Sequence, residues 1–216
     1  MGVPAVFNFA VGTTTAICSG QTTAGAGALT IDGALLDLPA TMNGVRRAKM
    51  GGGFQRTVSL TSTGNISGVN FTIVGTDLRG TAVTETRAGP NNNTVETTAE
   101  YDVVTSVTVD GAVATATSVG SGTTGQSNWY KCNLYNKGGG IALYCDIAGT
   151  INYTIRDTGD DVDTDSTPTT VNHPTLASLT ADNSSNYAIA PRAIQAVVNS
   201  STVATGTLNF TIVPGG

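Results

Sequence analysis

The sequence predicts an all-β fold, an antiparallel β-sandwich of jelly-roll or immunoglobulin-like type, and three observations carry that prediction. Apolar and polar residues alternate strictly over short segments, as where Val69, Phe71 and Ile73 enclose Asn70 and Thr72. A period of two marks a strand with one face buried. Gly, Asn and Asp punctuate the chain at intervals of about 8–12 residues, the spacing of turn-bounded strands. No stretch keeps helical spacing beyond a couple of turns; the best helical candidate, around His173 to Leu179, is short.

The elements follow in order. After Val69–Ile73, the run Tyr101, Val103, Thr105, Val107, Val109 has the same period, with Asp102, Ser106 and Thr108 opposite. So do Ile151, Tyr153 and Ile155, then Ile194, Ala196 and Val198, then Leu208, Phe210 and Ile212. Breakers separate them at Gly64-Asn65, Gly68, Gly75-Thr76-Asp77, Gly80, Gly89-Pro90-Asn91, Asp110-Gly111, Gly120, Gly122 and Gly125. The first fifty residues, with their AGAGAL and GALLDLP runs, are the least regular and are expected to include an arm reaching away from the body. Gly and Ser cluster at SVGSGTTGQSN, residues 118–128. That cluster predicts two sandwiches in tandem, 1–122 with the N-terminal arm and 123–216; one continuous domain, 1–216, is the alternative.

In SNWYKCNLYNKGGGIALYCDI, a four-residue loop at Lys137–Gly140 would form a hairpin. Asn136 would then face Ile141, Leu134 Leu143, Cys132 Cys145, and Tyr130 Ile147. Each apolar residue of one face finds an apolar partner, the usual test of a register. The two cysteines would stand about 4.5–5.5 Å apart at Cα, which permits a disulfide. An odd total of three cysteines without a secretory signal argues for thiols instead.

Composition excludes several classes. Only 12% of the 216 residues are charged, roughly half the usual share, so the surface is built from Thr, Ser, Asn and Gly. Net charge is −5, and apart from Arg46, Arg47 and Lys49 the cations are scattered; phosphate backbones require clustered cations, so no nucleic-acid partner is expected. The start, MGVPAVFNFAVGTTT, has neither a basic region nor a long apolar run, so neither signal peptide nor membrane span is expected. Ala16-Ile17-Cys18 lacks the small residue of a lipidation site. The Asn-x-Ser/Thr triplets, such as those at Asn65, Asn70 and Asn209, occur at the rate this composition gives by chance.

Groups that do chemistry are sparse. The one histidine, His173, lies in a turn-like Asn-His-Pro and has no Gly-x-Ser-x-Gly partner, so it reads as structural and no catalytic residue is predicted. Three cysteines and one histidine lack the paired spacing of zinc sites. Asp161-x-Asp163-x-Asp165 imitates the opening of a calcium loop, but Ser166 stands where Gly is required and Asn172 where a bidentate Glu should close it. Asp161, Asp163 and Asp165 are therefore the only metal candidates, and a solvated acidic loop is the favoured reading. No phosphate-binding loop precedes a helix, so no cofactor is expected. Paired carboxylates would have to join Glu85 or Glu100 to the Asp157–Asp165 loop, and a sugar-binding platform would have to use Trp129, Tyr130 and Tyr135.

The run TSTGNISGVNFTIVGTDLRGTAVTET, followed by Gly-Pro, Asn-rich residues and the strand at Tyr101–Val109, resembles structural proteins of tailed bacteriophage particles. GTINYTIRDTGDDV and the final NHPTLASLTADNSSNYAIAPRAIQAVVNSSTVATGTLNFTIVPGG are similar in the same way. The resemblance covers about residue 55 to the end. It implies a non-enzymatic virion component, most like a capsid cement or decoration protein, assembled in the host cytoplasm on the capsid surface. The partners it implies are the major capsid protein or other virion proteins and further copies of itself, with a trimer favoured; neck, tail and receptor-binding roles are the alternatives. No functional residues carry over, because the shared positions are turn glycines and core apolar residues.

Overall fold

The computed structural model describes residues 4–10, 12–38, 45–133 and 140–214. Its strands in chain order are β1 (Ala5–Phe9), β2 (Cys18–Thr23), β3 (Gly27–Ala28), β4 (Leu36–Asp37), β5 (Arg47–Lys49), β6 (Phe54–Ser62), β7 (Asn70–Thr76) and β8 (Ala82–Ala88). Then follow β9 (Thr94–Glu96), β10 (Val103–Val109), β11 (Val113–Ser127), β12 (Tyr130–Lys131), β13 (Ile141–Thr158), β14 (Val171–Asn172), β15 (Asn183–Tyr187) and β16 (Ala193–Pro214). The described residues contain no helix, and the fold is an all-β antiparallel sandwich. Around His173–Leu179 the chain is irregular, with Leu179 bridged to Tyr153.

The chain divides into two compact units, each with its own apolar cluster. The sandwich unit comprises Gly12–Gly51 and Gln55–Gly125. One of its sheets runs β4-β5-β10-β7-β8, with β3 also on β10; the other places β2 and β6 on β11 and β9 on β6. Phe71, Ile73, Val104 and Val107 from the first sheet pack with Val58, Leu60, Val113 and Val119 from the second, all fully buried. The alternation of β7 holds as the sequence predicts, with Asn70 exposed and Phe71 and Ile73 buried. In β10 it does not hold throughout. The ladder with β7 slips between Val104 and Ser106, so Val104 rather than Val103 and Thr105 joins the core with Val107 and Val109. One extra residue in a strand reverses the facing of everything on one side of it.

The long-strand unit holds the residues before Gly12, Gly52–Phe54 and everything from Gln126. Its frame is the antiparallel pair β13 and β16, with β14 and β15 on β13 and β1 and β12 on β16. The pairing breaks midway: Gly149 faces Gly206 but Ile151 faces Ser201, which leaves extra residues in β16. Gly149 has φ of 73°, a conformation that costs glycine nothing, and insertions of this kind bend a strand. Ile151, Tyr153 and Ile155, Ile194, Ala196 and Val198, and Leu208, Phe210 and Ile212 all join one core, on the faces their alternation assigns. The first strand also belongs here: β1 pairs with the far end of β16, Phe7 against Phe210, instead of extending as a free arm from the 1–122 segment.

The hairpin register expected around the cysteines is not formed. Both edges of β13 are taken, so Cys145 faces Asn183 on β15 and Phe210 on β16. Tyr130 faces Ile194, and the Cys132 amide donates to the Arg192 carbonyl. Cys132 and Cys145 therefore do not oppose each other, and all three cysteines are free thiols. The local match of apolar residues was outcompeted by β16, which sets Pro214, Ile212 and Phe210 against Ile141, Leu143 and Cys145. Leu134 and Asn136, also part of that register, lie outside the described residues.

Candidate functional site

The acidic segment connects β13 to β14. Its Asp residues favour this turn because their carboxylates accept from nearby backbone amides: Asp161 Oδ1 from Asp163 N (3.1 Å), Asp165 Oδ1 from Thr167 N (2.8 Å) and Asp160 Oδ2 from Thr169 N (2.7 Å). The Asp161 carbonyl accepts from the Thr164 and Asp165 amides. Two cations pair with the loop, Arg192, just before β16, with Asp161 at 2.6 Å and Lys131 of β12 with Asp163 at 2.9 Å. Asp161, Asp163 and Asp165 thus diverge to separate partners, and no group of three or more His, Cys, Asp or Glu suited to a metal occurs among the described residues.

Lys131, Cys132, Asp161, Asp163 and Arg192 line a depression of about 490 Å³. Burial, with the Asp157 charge adding to it, pushes the Cys132 thiol up to about 12. A nucleophilic thiolate requires the opposite shift.

His173 is buried beneath the same unit's surface. Its Nδ1 accepts from the Thr175 amide at 3.3 Å, and its ring meets Tyr187 edge-on at 4.8 Å. The Tyr187 hydroxyl donates to Asp157 Oδ2 at 2.7 Å, and burial together with that carboxylate raises the phenol above its ordinary range. This chain of contacts ties β13, β14 and β15 together, and among the described residues the imidazole bonds to Thr175 and to no carboxylate that could orient it.

In the sandwich unit, the glutamates hold backbone and side-chain groups in place. The Glu85 carboxylate accepts from the amides of Thr98 (2.9 Å) and Ala99 (2.7 Å). Glu100 accepts from Gln55 Nε2 at 3.1 Å. Glu96 accepts from Thr57 Oγ1 at 2.7 Å and Thr123 N at 3.1 Å. Beside it lies Arg56, 4% exposed, whose Nη2 donates to the Gly122 carbonyl at 2.6 Å. Burial lowers its guanidinium to about 10, and the Glu96 charge acts against that shift. Sequence reading missed Arg56, although its signal was present: it shares the inward parity of Phe54, Val58 and Leu60.

The remaining candidates are dispersed. Trp129 is half-buried with the Arg156 guanidinium 5.7 Å above its ring, Tyr130 is half-buried on β12, and Tyr135 lies outside the described residues. In the basic triplet, Arg47 pairs with Asp37 at 2.7 Å and Arg46 donates to the Ile31 carbonyl.

No family model and no curated protein matches this chain. A chain in the structure of the infectious bursal disease virus Gx strain is 16% identical over 99% of this chain and 70% of its own, with a TM-score of 0.16. One in the Gt strain is 11% identical over 98% and 69%, with a TM-score of 0.17. Superpositions this poor carry no argument about fold or role.

Proposed function

We propose that this chain is a non-enzymatic structural component of a tailed-bacteriophage particle, a cement protein that binds the outer capsid surface and stabilises it. The observation that carries the reading is what the polar groups do. Glu85, Glu96, Glu100, Asp157, Asp161, Asp163 and His173 are each engaged in holding a loop or strand in place. The exposed positions of the regular strands are dominated by Thr, Ser, Asn and Ala. A surface of hydroxyls and amides with a net negative charge suits repeated contacts on a protein lattice and discourages condensation on packaged nucleic acid.

Immunogold labelling of purified particles with an antibody against this chain tests the proposal. Label spread over the head is the expected result. Label confined to the neck or tail overturns the cement role, and particles without label overturn the virion role once denatured particles are shown by blotting to lack the chain.

A further inference from the structure

We propose that the outer edge of β8 is a homotypic docking strand: two copies of this chain join antiparallel about a two-fold axis through Thr86. Glu85 of each copy then faces Arg87 of the other. The oligomer is a pair, not the trimer that the phage resemblance implies.

β8 ends its sheet, since it pairs with β7 alone. Its ladder runs without a bulge from Ala82 to Ala88, and it contains neither Pro nor Lys, the usual guards of an exposed edge. The direction of its free backbone groups follows from the bonds that flank it. Gly89 N donates to Val69 O (2.8 Å) and Asp77 N to Thr81 O (3.0 Å). Antiparallel ladders alternate bonded and unbonded pairs, so Val83, Glu85 and Arg87 spend their amides and carbonyls on β7. Those of Thr84, Thr86 and Ala88 point outward, and no described residue receives them.

Only registers that oppose outward-pointing residues to one another satisfy those groups. With the axis through Glu85, the two Glu85 side chains meet head-on. With the axis through Thr84, Glu85 faces Val83. With the axis through Thr86, the two Thr86 residues exchange bonds, Thr84 exchanges with Ala88, and Glu85 faces Arg87 on both sides of the axis. Charge selects this last register, because opposite charges directly across a ladder attract and like charges repel. Arg87 supplies an independent reason. It is half-buried and has no carboxylate within ion-pair distance among the described residues, whereas Glu85 retains acceptor capacity beyond its bonds to Thr98 and Ala99. Inward charges ordinarily repel an arriving strand; here they reject every strand except one that brings the complementary pair.

Sedimentation equilibrium of the full chain at micromolar concentration is expected to give twice the chain mass. Thr86→Pro removes one outward amide that β7 does not use, and is expected to give a monomer with unchanged circular dichroism. Arg87→Glu is expected to raise the dissociation constant on the order of tenfold or more. Should either variant fold poorly, Thr86→Cys reads the register directly: a short bis-maleimide should link it into a dimer far faster than wild type or Thr84→Cys. A monomeric or trimeric wild type, a dimer indifferent to Thr86→Pro and Arg87→Glu, or faster linking through Thr84→Cys overturns the proposal.

Discussion

The sandwich unit and the long-strand unit solve the same problem with different geometry. The first divides its core among many strands, several of them joined by tight turns, so that β7 is followed at once by its partner β8. The second rests on two strands of 18 and 22 residues that pair across more than thirty intervening positions. Local pattern governs the first arrangement, and competition among distant strands governs the second. The contrast also extends to their titratable groups. The sandwich unit buries Cys18 and Tyr101. The long-strand unit holds Cys132, Cys145, Tyr153 and Tyr187, all with proton affinities raised chiefly by burial.

Alkali should separate the units most strongly. Burial holds the Cys18, Cys132 and Cys145 thiols up to about 12, against 9.0 for an exposed thiol. Between those values the unfolded chain binds fewer protons than the folded one, so stability is full below pH 9 and falls as pH rises toward 12. The long-strand unit, with more such groups, is expected to open first; Trp129 fluorescence followed beside amide exchange of β7 and β10 checks the order. Earlier loss in the sandwich unit would refute it.

Next in size is Phe210→Ala, which empties a fully buried site near the C-terminal end of β16, between β13 and β1. A loss of about 3–5 kcal/mol is expected in urea unfolding, with exchange accelerating in β13 and β1. Gly75→Ala should cost about 2 kcal/mol or more in the sandwich unit. Its Cβ would fall against the Val103 carbonyl oxygen and 2.9 Å from the Tyr101 ring, so β10 would have to move. Replacing Glu96 with Ala should cost roughly 1–3 kcal/mol by leaving buried Arg56 without its nearby charge; Arg56→Met combined with it should recover part of that loss.

The smallest effect is expected at the acidic loop. Lys131→Ala breaks an exposed ion pair with Asp163 and should cost about 0–1 kcal/mol. Millimolar calcium should leave Tm unchanged in differential scanning calorimetry. A calcium-dependent rise would show that the carboxylates reorganise around an ion.

What was legible in the sequence was whatever local spacing controls. The facing of Phe71 and Ile73, and of the β13 and β16 core residues, follows from alternation because each segment keeps one parity between breaks. The β10 reversal was hidden, since Val103 and Val104 are both β-formers and nothing in their identity marks Thr105 as the extra residue. The Cys132–Cys145 pairing failed because an apolar match between neighbours does not reveal that a better partner lies some sixty residues onward. At the candidate sites, the Asp residues read as a turn from type alone. The ties of His173 to Tyr187 and of Arg56 to Glu96 exist only once separate strands meet.

The pairing of β1 with β16 has a consequence in time. Ala5–Phe9 finds its partner in Leu208–Ile212, about two hundred residues later in synthesis. At ~5–20 residues per second a ribosome makes that interval in about 10–40 s. Phe7 must wait through it for Phe210, against which its ring stacks, and long-range strand pairing is slow to close. β1 is therefore made long before it can dock on β16, and Phe7 needs shelter in the interval.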